Sequence, residues 1–244
     1  MKFDVVTLFP EFFDSPLACG LLRIARQKGA IQVRLTNPRD YAAERKVDDY
    51  QFGGGAGMVL KPDPLTRALH RVSKGGARVI YFTPKGQPLR QGLVRELLRH
   101  KHLVLVCGRY KGIDERVTAL SDPLEISVGD YVLAGGEIAA LALIEATSRL
   151  LPEVMGNLDS AETDSLQNGL LEAPIYTRPA VFKKMEVPAV LRSGNHRAIA
   201  DWRRRESLAL TLRKRPDLIP DAIFSKNDLS ILLEVLDGNQ DAHL

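Results

Sequence analysis

A chain of 244 residues, 45% hydrophobic and 26% charged, can bury one sizeable core, or one core plus a small second domain, and its composition excludes disorder throughout. A formal net charge of +4 with a pI near 9.1 excludes a polycation but favours an anionic partner. Cys19 and Cys107 lie far apart in apolar stretches with no metal-ligand spacing. They read as buried, reduced thiols, and a disulfide scaffold or structural zinc site is excluded.

In chain order, Phe3 to Phe9 reads as a strand, Leu17 to Lys28 as a helix closed by Gly29, and Ile31 to Thr36 as a half-buried strand stopped by Asn37-Pro38. The start lacks the basic and long apolar regions of a signal peptide. A polar stretch, Arg39 to Gln51, leads into the glycine-rich loop Phe52 to Met58 (FGGGAGM). Pro62 to Val72 reads as a helix, Arg78 to Phe82 (RVIYF) as a buried strand, Leu89 to His100 as a helix and Leu103 to Cys107 (LVLVC) as a further buried strand. A short helix from Ile113 to Leu120, a strand from Leu124 to Val128 and a helix from Glu137 to Leu151 follow. That last helix is apolar almost all round, which suits a core or a subunit interface. Its longest apolar run, Ile138 to Ile144, is too short to span a bilayer. A cytoplasmic protein with no membrane partner is expected.

Strands separated by helices predict an α/β fold with a mostly parallel sheet, whose ligand sits beyond the carboxyl ends of the strands. After Pro152 the texture changes: Glu153 to Asn168 is polar and aperiodic, and the remainder is helical and basic. Three parts are therefore expected: a cofactor-binding domain over 1–155, a linker over 156–169 and a small all-helical domain over 170–244.

There is no GxGxxG after the first strand and no GxxxxGK[ST] anywhere, so neither a dinucleotide fingerprint nor a P-loop is present. Three other loops follow strands: Thr83-Pro84-Lys85-Gly86-Gln87, Gly108 to Arg116 (GRYKGIDER) and Ser127 to Glu137 (SVGDYVLAGGE). Any one of them alone is readily a tight turn. Three together, each behind a buried strand, suit a ligand that approaches the backbone closely.

These segments, with DDYQFGGGAGM at Asp48 to Met58, SAETDSLQNGLLEAPIYTRP and VPAVLRSGNHRAIADWRRRESL, resemble the bacterial tRNA guanine-N1 methyltransferases, the TrmD family of the SPOUT class. The resemblance runs in order along nearly the whole chain. It implies a trefoil-knotted α/β domain and a homodimer whose active site combines both subunits. It also implies S-adenosylmethionine as methyl donor, held by Pro84, Gly108, Val128, Tyr131, Leu133, Gly135 and Gly136. The substrate would be tRNA and the acceptor N1 of the guanine immediately 3′ of the anticodon. Asp164 would be the general base, and Arg149 would stabilise O6 or orient the base. A magnesium requirement is associated with the family, although the sequence shows no compact carboxylate cluster for it. Relatives often carry Glu where this chain has Lys111.

Taken without the resemblance, Asp164 reads as a turn or cap residue and Arg149 as the i+4 partner of Glu145. Arg178, Lys183, Arg192, His196, Arg203 and Arg204 are candidates for tRNA phosphate contacts. A helix over Ala198 to Arg213 places Ile199, Trp202, Leu208, Ala209 and Leu212 on one arc, with Trp202 packed inward and Arg204 pointing away. The glycine-rich loop suits either a phosphate cradle or a gate over the cofactor. Two rivals remain. A SPOUT enzyme with another RNA target fits the loops but not the DSLQNGLLEAPIYTRP segment, and a non-catalytic RNA-binding protein would lack cofactor binding.

Overall fold

The computed structural model describes residues 1–152, 154–155 and 164–240. The chain divides into two compact units, Met1–Leu158 and Asp159–Leu244. Most of the expected linker lies outside the described residues, and residues 164–169 form a turn within the second unit.

In the first unit, β1 (Lys2–Val6) is followed by a short 3-10 turn, then α1 (Asp14–Leu17) and α2 (Gly20–Gln27). These two helices replace the one expected over Leu17 to Lys28. The backbone breaks at Cys19, which is extended (φ −129°, ψ 168°), and turns at Gly20 with φ +53°. That break also corrects the reading of Cys19. It stands exposed ahead of α2 with its thiol toward Pro16 O at 3.6 Å, and only Cys107 is buried.

Next come β2 (Gln32–Thr36), a hairpin of β3 (Asp48–Tyr50) and β4 (Met58–Leu60) enclosing the glycine-rich loop, and α3 (Pro62–Val72). Helix α3 opens on Pro62 with Asp63 in its first turn and closes with His70 and Arg71, all favourable to its dipole. Then follow β5 (Arg78–Pro88), α4 (Gln91–Leu97), β6 (His102–Val106), α5 (Glu115–Ser121), β7 (Leu124–Ser127) and α6 (Glu137–Ser148). Helix α4 is shorter at both ends than its expected span, and α5 starts late because Asp114 caps it, accepting from Arg116 N at 3.0 Å.

The five main strands form one wholly parallel sheet in the order β2-β1-β6-β5-β7. Residues alternate between its two faces, as a period of two requires. Phe3, Val5, Leu103, Leu105, Ile80 and Phe82 face a core shared with α2, α4 and α6. Val6, Val104, Val106, Val79 and Tyr81 face α3 and α5. Burial on both faces explains why these strands read as unbroken apolar runs. Each fully buried Leu, Val or Phe contributes about 1.5–3 kcal/mol, so the central strands anchor the unit.

Strand β5 departs from the sequence reading in one respect. The Thr83 to Gln87 segment does not run into a helix: Phe82 and Gln87 both pair with Ile126, so residues 83–86 are looped out of a strand that then resumes beside β7. A Cβ on Gly86 would lie 2.7 Å from Glu125 O, so only glycine passes there without displacing β7.

In the second unit, β8 (Val181–Phe182) and β9 (Met185–Glu186) form a small hairpin ahead of α7 (His196–Lys214) and α8 (Lys226–Gln240). The region is thus not all-helical as expected. Lys183 and Lys184 adopt φ of +48° and +68°, the paired positive values of a two-residue hairpin turn. Helix α7 is capped by Asn195, whose side chain accepts from Ala198 N at 3.2 Å. Leu170, Leu208 and Leu232 form the unit's core.

Arg204 does not point freely to solvent. Its Nε and Nη2 donate to the two carboxylate oxygens of buried Asp228 at 2.9 and 2.8 Å. Asp228 also accepts from Ser225 N at 2.7 Å. These hydrogen bonds, led by Arg204, hold the Asp228 carboxyl below the usual carboxylate range despite its burial. Its folded pKa lies under the unfolded value of about 3.9, so the stabilisation is complete above pH ~4 and is lost as pH falls below that. Asp228→Asn is expected to cost about 1–2 kcal/mol at pH 7, moderated because the Arg204 side chain is a third exposed. In urea unfolding the gap from wild type should narrow between pH 7 and pH 3. A gap independent of pH would show that the ion pair is not its source.

Candidate active site

The carboxyl ends of β5, β6 and β7 open onto a cavity of about 480 Å³ in the first unit. That volume suits a cofactor-sized ligand. Its walls are the three loops singled out in the sequence. Pro84 comes from the β5 excursion, Gly108 from the loop after β6, and Val128, Tyr131, Leu133, Gly135 and Gly136 from the loop between β7 and α6. The structure brings all seven residues carried over by motif into this one cavity.

Tyr81, Phe82 and Ile126, which sequence reading placed only in strands, also line it, as do Met58, Thr83 and Arg109 from the loops already named. Tyr81 sits on the face of β5 opposite Phe82. Burial pushes its phenol above the ordinary range, while hydrogen bonds with the Ile113 backbone and the Thr83 side chain pull the other way. It is a neutral polar group in the cavity wall, alongside Thr83 and Ser127. A tyrosine inside a buried strand is a signal that the sequence did carry, since a buried phenol needs a polar partner.

Behind the cavity lies a buried ion pair that joins three chain segments. Glu137, the first residue of α6, is 1% exposed. It accepts from Thr7 Oγ1 at 2.8 Å and pairs with Arg109 Nη2 at 3.0 Å. Arg109 also stacks over the Phe9 ring at 4.4 Å. The backbone N–H of Gly136 donates to Gly108 O at 3.1 Å, and Arg109 and Gly135 form an isolated antiparallel bridge. A Cβ on Gly135 would lie 2.5 Å from Glu137 Oε2 and 2.6 Å from Arg109 Cδ. Glycine is therefore required where two cavity loops cross the pair. Beside it, burial and then Glu137 push the Cys107 thiol well up, leaving it protonated and inert.

Arg149 is the residue that closes α6, with its backbone N–H donating to Glu145 O at 3.1 Å. Helix α6 thus ends short of its expected limit at Leu151. Its outward side leaves Ile138 53% exposed.

The second unit has its own concavity, about 920 Å³, lined by Asp164, Tyr176, Arg178, Arg192, Arg203 and Arg204 among others. Asp164 is half-buried at its edge, and its carbonyl accepts from Gln167 N at 3.3 Å. Trp202 is half-buried against Tyr176, with ring centroids 6.3 Å apart. Lys183 and His196 are exposed, the first at the hairpin turn and the second at the start of α7. Arg178, Arg192 and Arg203 are exposed, Arg192 with a long ion pair to Glu186 at 3.6 Å.

A cavity at the carboxyl edge of a parallel sheet, walled by glycine-bearing loops, is the place where α/β proteins bind their ligands. The family model described as tRNA (Guanine-1)-methyltransferase TrmD matches residues 1–221, and the chain belongs to that family. A protein of Geotalea uraniireducens named tRNA (guanine-N(1)-)-methyltransferase is 50% identical over 96% of this chain and 97% of its own length. One of the same name from Syntrophomonas wolfei is 49% identical over 97% of each. A third, from Oleidesulfovibrio alaskensis, is 50% identical over 95% of this chain, which spans only 55% of that longer protein. Among the described residues no helix is long and apolar enough to cross a membrane.

Proposed function

We propose that this chain transfers the methyl group of S-adenosylmethionine to N1 of the guanine immediately 3′ of the anticodon in tRNA. The observation that carries the reading is the cavity itself, where the three motif loops of a TrmD-family chain converge at the ends of parallel strands. Its glycines and small apolar residues fit an adenine ring held largely by backbone groups, and Tyr81, Thr83 and Ser127 offer polar atoms beside them. When bound, the cofactor supplies an electrophilic methyl group on a sulfonium.

The remaining difficulty is the nucleophile. N1 of guanine carries a proton at neutral pH, and Asp164 is the base that removes it. Charge then grows on O6, where Arg149 is the stabilising cation. Arg178, Lys183, Arg192, His196 and Arg203 contact tRNA phosphates and position the substrate without reading its sequence. Arg204 contributes less, because two of its nitrogens are already committed to Asp228. The reading extends to a homodimer with the active site at the subunit interface, supported by the exposure of Ile138 on α6. It also extends to the trefoil knot of the SPOUT class, for which membership of the TrmD family is the support. Among the described residues no group of three or more His, Cys, Asp or Glu could hold a metal ion, and no step is routed through magnesium.

Labelled S-adenosylmethionine and a tRNA transcript provide the test. Label is expected on the transcript, and its loss is expected when the guanine 3′ of the anticodon is changed to adenine. Label that survives the change would move the target to another nucleotide.

A further inference from the structure

The tip of the β3–β4 hairpin carries two aromatic side chains without a packing partner in the core. Phe52 is fully exposed and Tyr50 is 81% exposed. Single exposed apolar residues are common, but these two lie two residues apart on a hairpin whose other arm reaches the cofactor cavity. The base of the hairpin is fastened there. Lys111 N donates to Met58 O at 2.9 Å, Leu60 N to Gly112 O at 3.0 Å and Asp114 N to Leu60 O at 3.0 Å. Gly57 and Met58 line the cavity directly. The tip is in contrast built from Gly53, Gly54, Gly55 and Gly57, all at positive φ. A fixed base with a glycine tip lets an aromatic ring settle on a surface that arrives from solvent.

The hairpin carries both signs of charge, with the Lys111 side chain against Gly57 near its base and carboxylates on the strand that reaches the tip. Asp48 and Asp49 lie on the strand that leads into it, and Asp49 Oδ1 accepts from Tyr50 N at 2.9 Å. Carboxylates in that position oppose a phosphate cradle. They leave a π-face free for a nucleobase, which carries no formal charge and stacks whatever its identity. We infer that Phe52, flanked by Tyr50, stacks on an unpaired anticodon-loop base next to the methylated guanine, holding the loop open while the guanine enters the cavity. This inference rests on the tRNA reading above.

The test uses the full-length protein and a tRNA carrying 2-aminopurine beside the target guanine. With wild type, stacking should quench the probe. Phe52→Ala should abolish the quenching and weaken tRNA binding about tenfold, the loss of one base–aromatic stack, with the dissociation constant for S-adenosylmethionine unchanged. Phe52→Trp should retain both signals and Phe52→Leu should behave like Phe52→Ala. Unchanged affinity and quenching in Phe52→Ala overturn the inference. So does full binding by Phe52→Leu, or a loss of affinity that tracks a change in sedimentation. Methyl transfer by wild type to the same unlabelled tRNA separates the two readings. If transfer occurs and Phe52→Ala binds normally, only the stacking role falls, and if wild type neither binds nor methylates tRNA, both fall.

Discussion

Asp164→Asn is expected to lower kcat for methyl transfer by about 10²–10⁴-fold, the usual contribution of a positioned general base. The Asn side chain keeps the shape of the carboxylate, and the backbone carbonyl that accepts from Gln167 N is untouched. A residue needed only for the turn at 164–169 would therefore survive the change with full activity. Binding of S-adenosylmethionine should be unaffected, since the cavity proposed for it is lined by a different stretch of chain. The residual rate of the variant should climb with pH, as solvent takes over removal of the N1 proton, whereas wild type should already be near its plateau at neutral pH. A flat profile with a small rate loss would assign the proton to another acceptor.

The second large effect is expected at Glu137. Glu137→Ala removes the carboxylate beneath the cavity and leaves the Arg109 guanidinium, whose side chain is only 20% exposed, without its counter-charge. Breaking such a pair from one side costs about 3–5 kcal/mol, and the lower end applies because Arg109 keeps its stack on Phe9 and some solvent. Thr7 Oγ1 loses its acceptor as well. A Tm lowered by several degrees is expected, together with weaker S-adenosylmethionine binding, because Gly136 is hydrogen-bonded to Gly108, and Gly135 bridged to Arg109, beside this pair. Glu137→Gln keeps the hydrogen bonds to Thr7 and Arg109 in part and should fall between. Equal Tm values for wild type and Glu137→Ala would show that the pair contributes nothing net.

Much of the sheet was legible because RVIYF and LVLVC are buried on both faces, and a run of that kind has few other uses. Their order across the sheet was not, since spacing along the chain does not say that β6 lies between β1 and β5. The resumption of β5 after the excursion at 83–86 was not legible, because a strand that returns after four residues leaves no periodicity to detect. Cys19 looked buried from its apolar neighbours, yet exposure there follows from a backbone break at Gly20 that composition does not announce. The hairpin at Val181–Glu186 was missed because two-residue strands have no pattern of their own. Within the site, the cavity loops were visible as glycine-bearing segments behind strands. The Arg109–Glu137 pair was not, because its partners lie in separate loops and meet only once the sheet has formed.

The β5 excursion bears on how a ligand can come and go. Phe82 and Gln87 share a single opposite residue, Ile126, so the two ends of that loop are tied to one point of the sheet and cannot swing apart. That side of the cavity behaves as a doorpost. The loop from Val128 to Gly135 leaves β7 at one end and is held by the Arg109–Gly135 bridge at the other, and between them Tyr131 and Val132 are 57% and 90% exposed. The pinned side of the cavity is therefore the β5 loop, and the side chains most open to solvent lie on the loop that leads into α6.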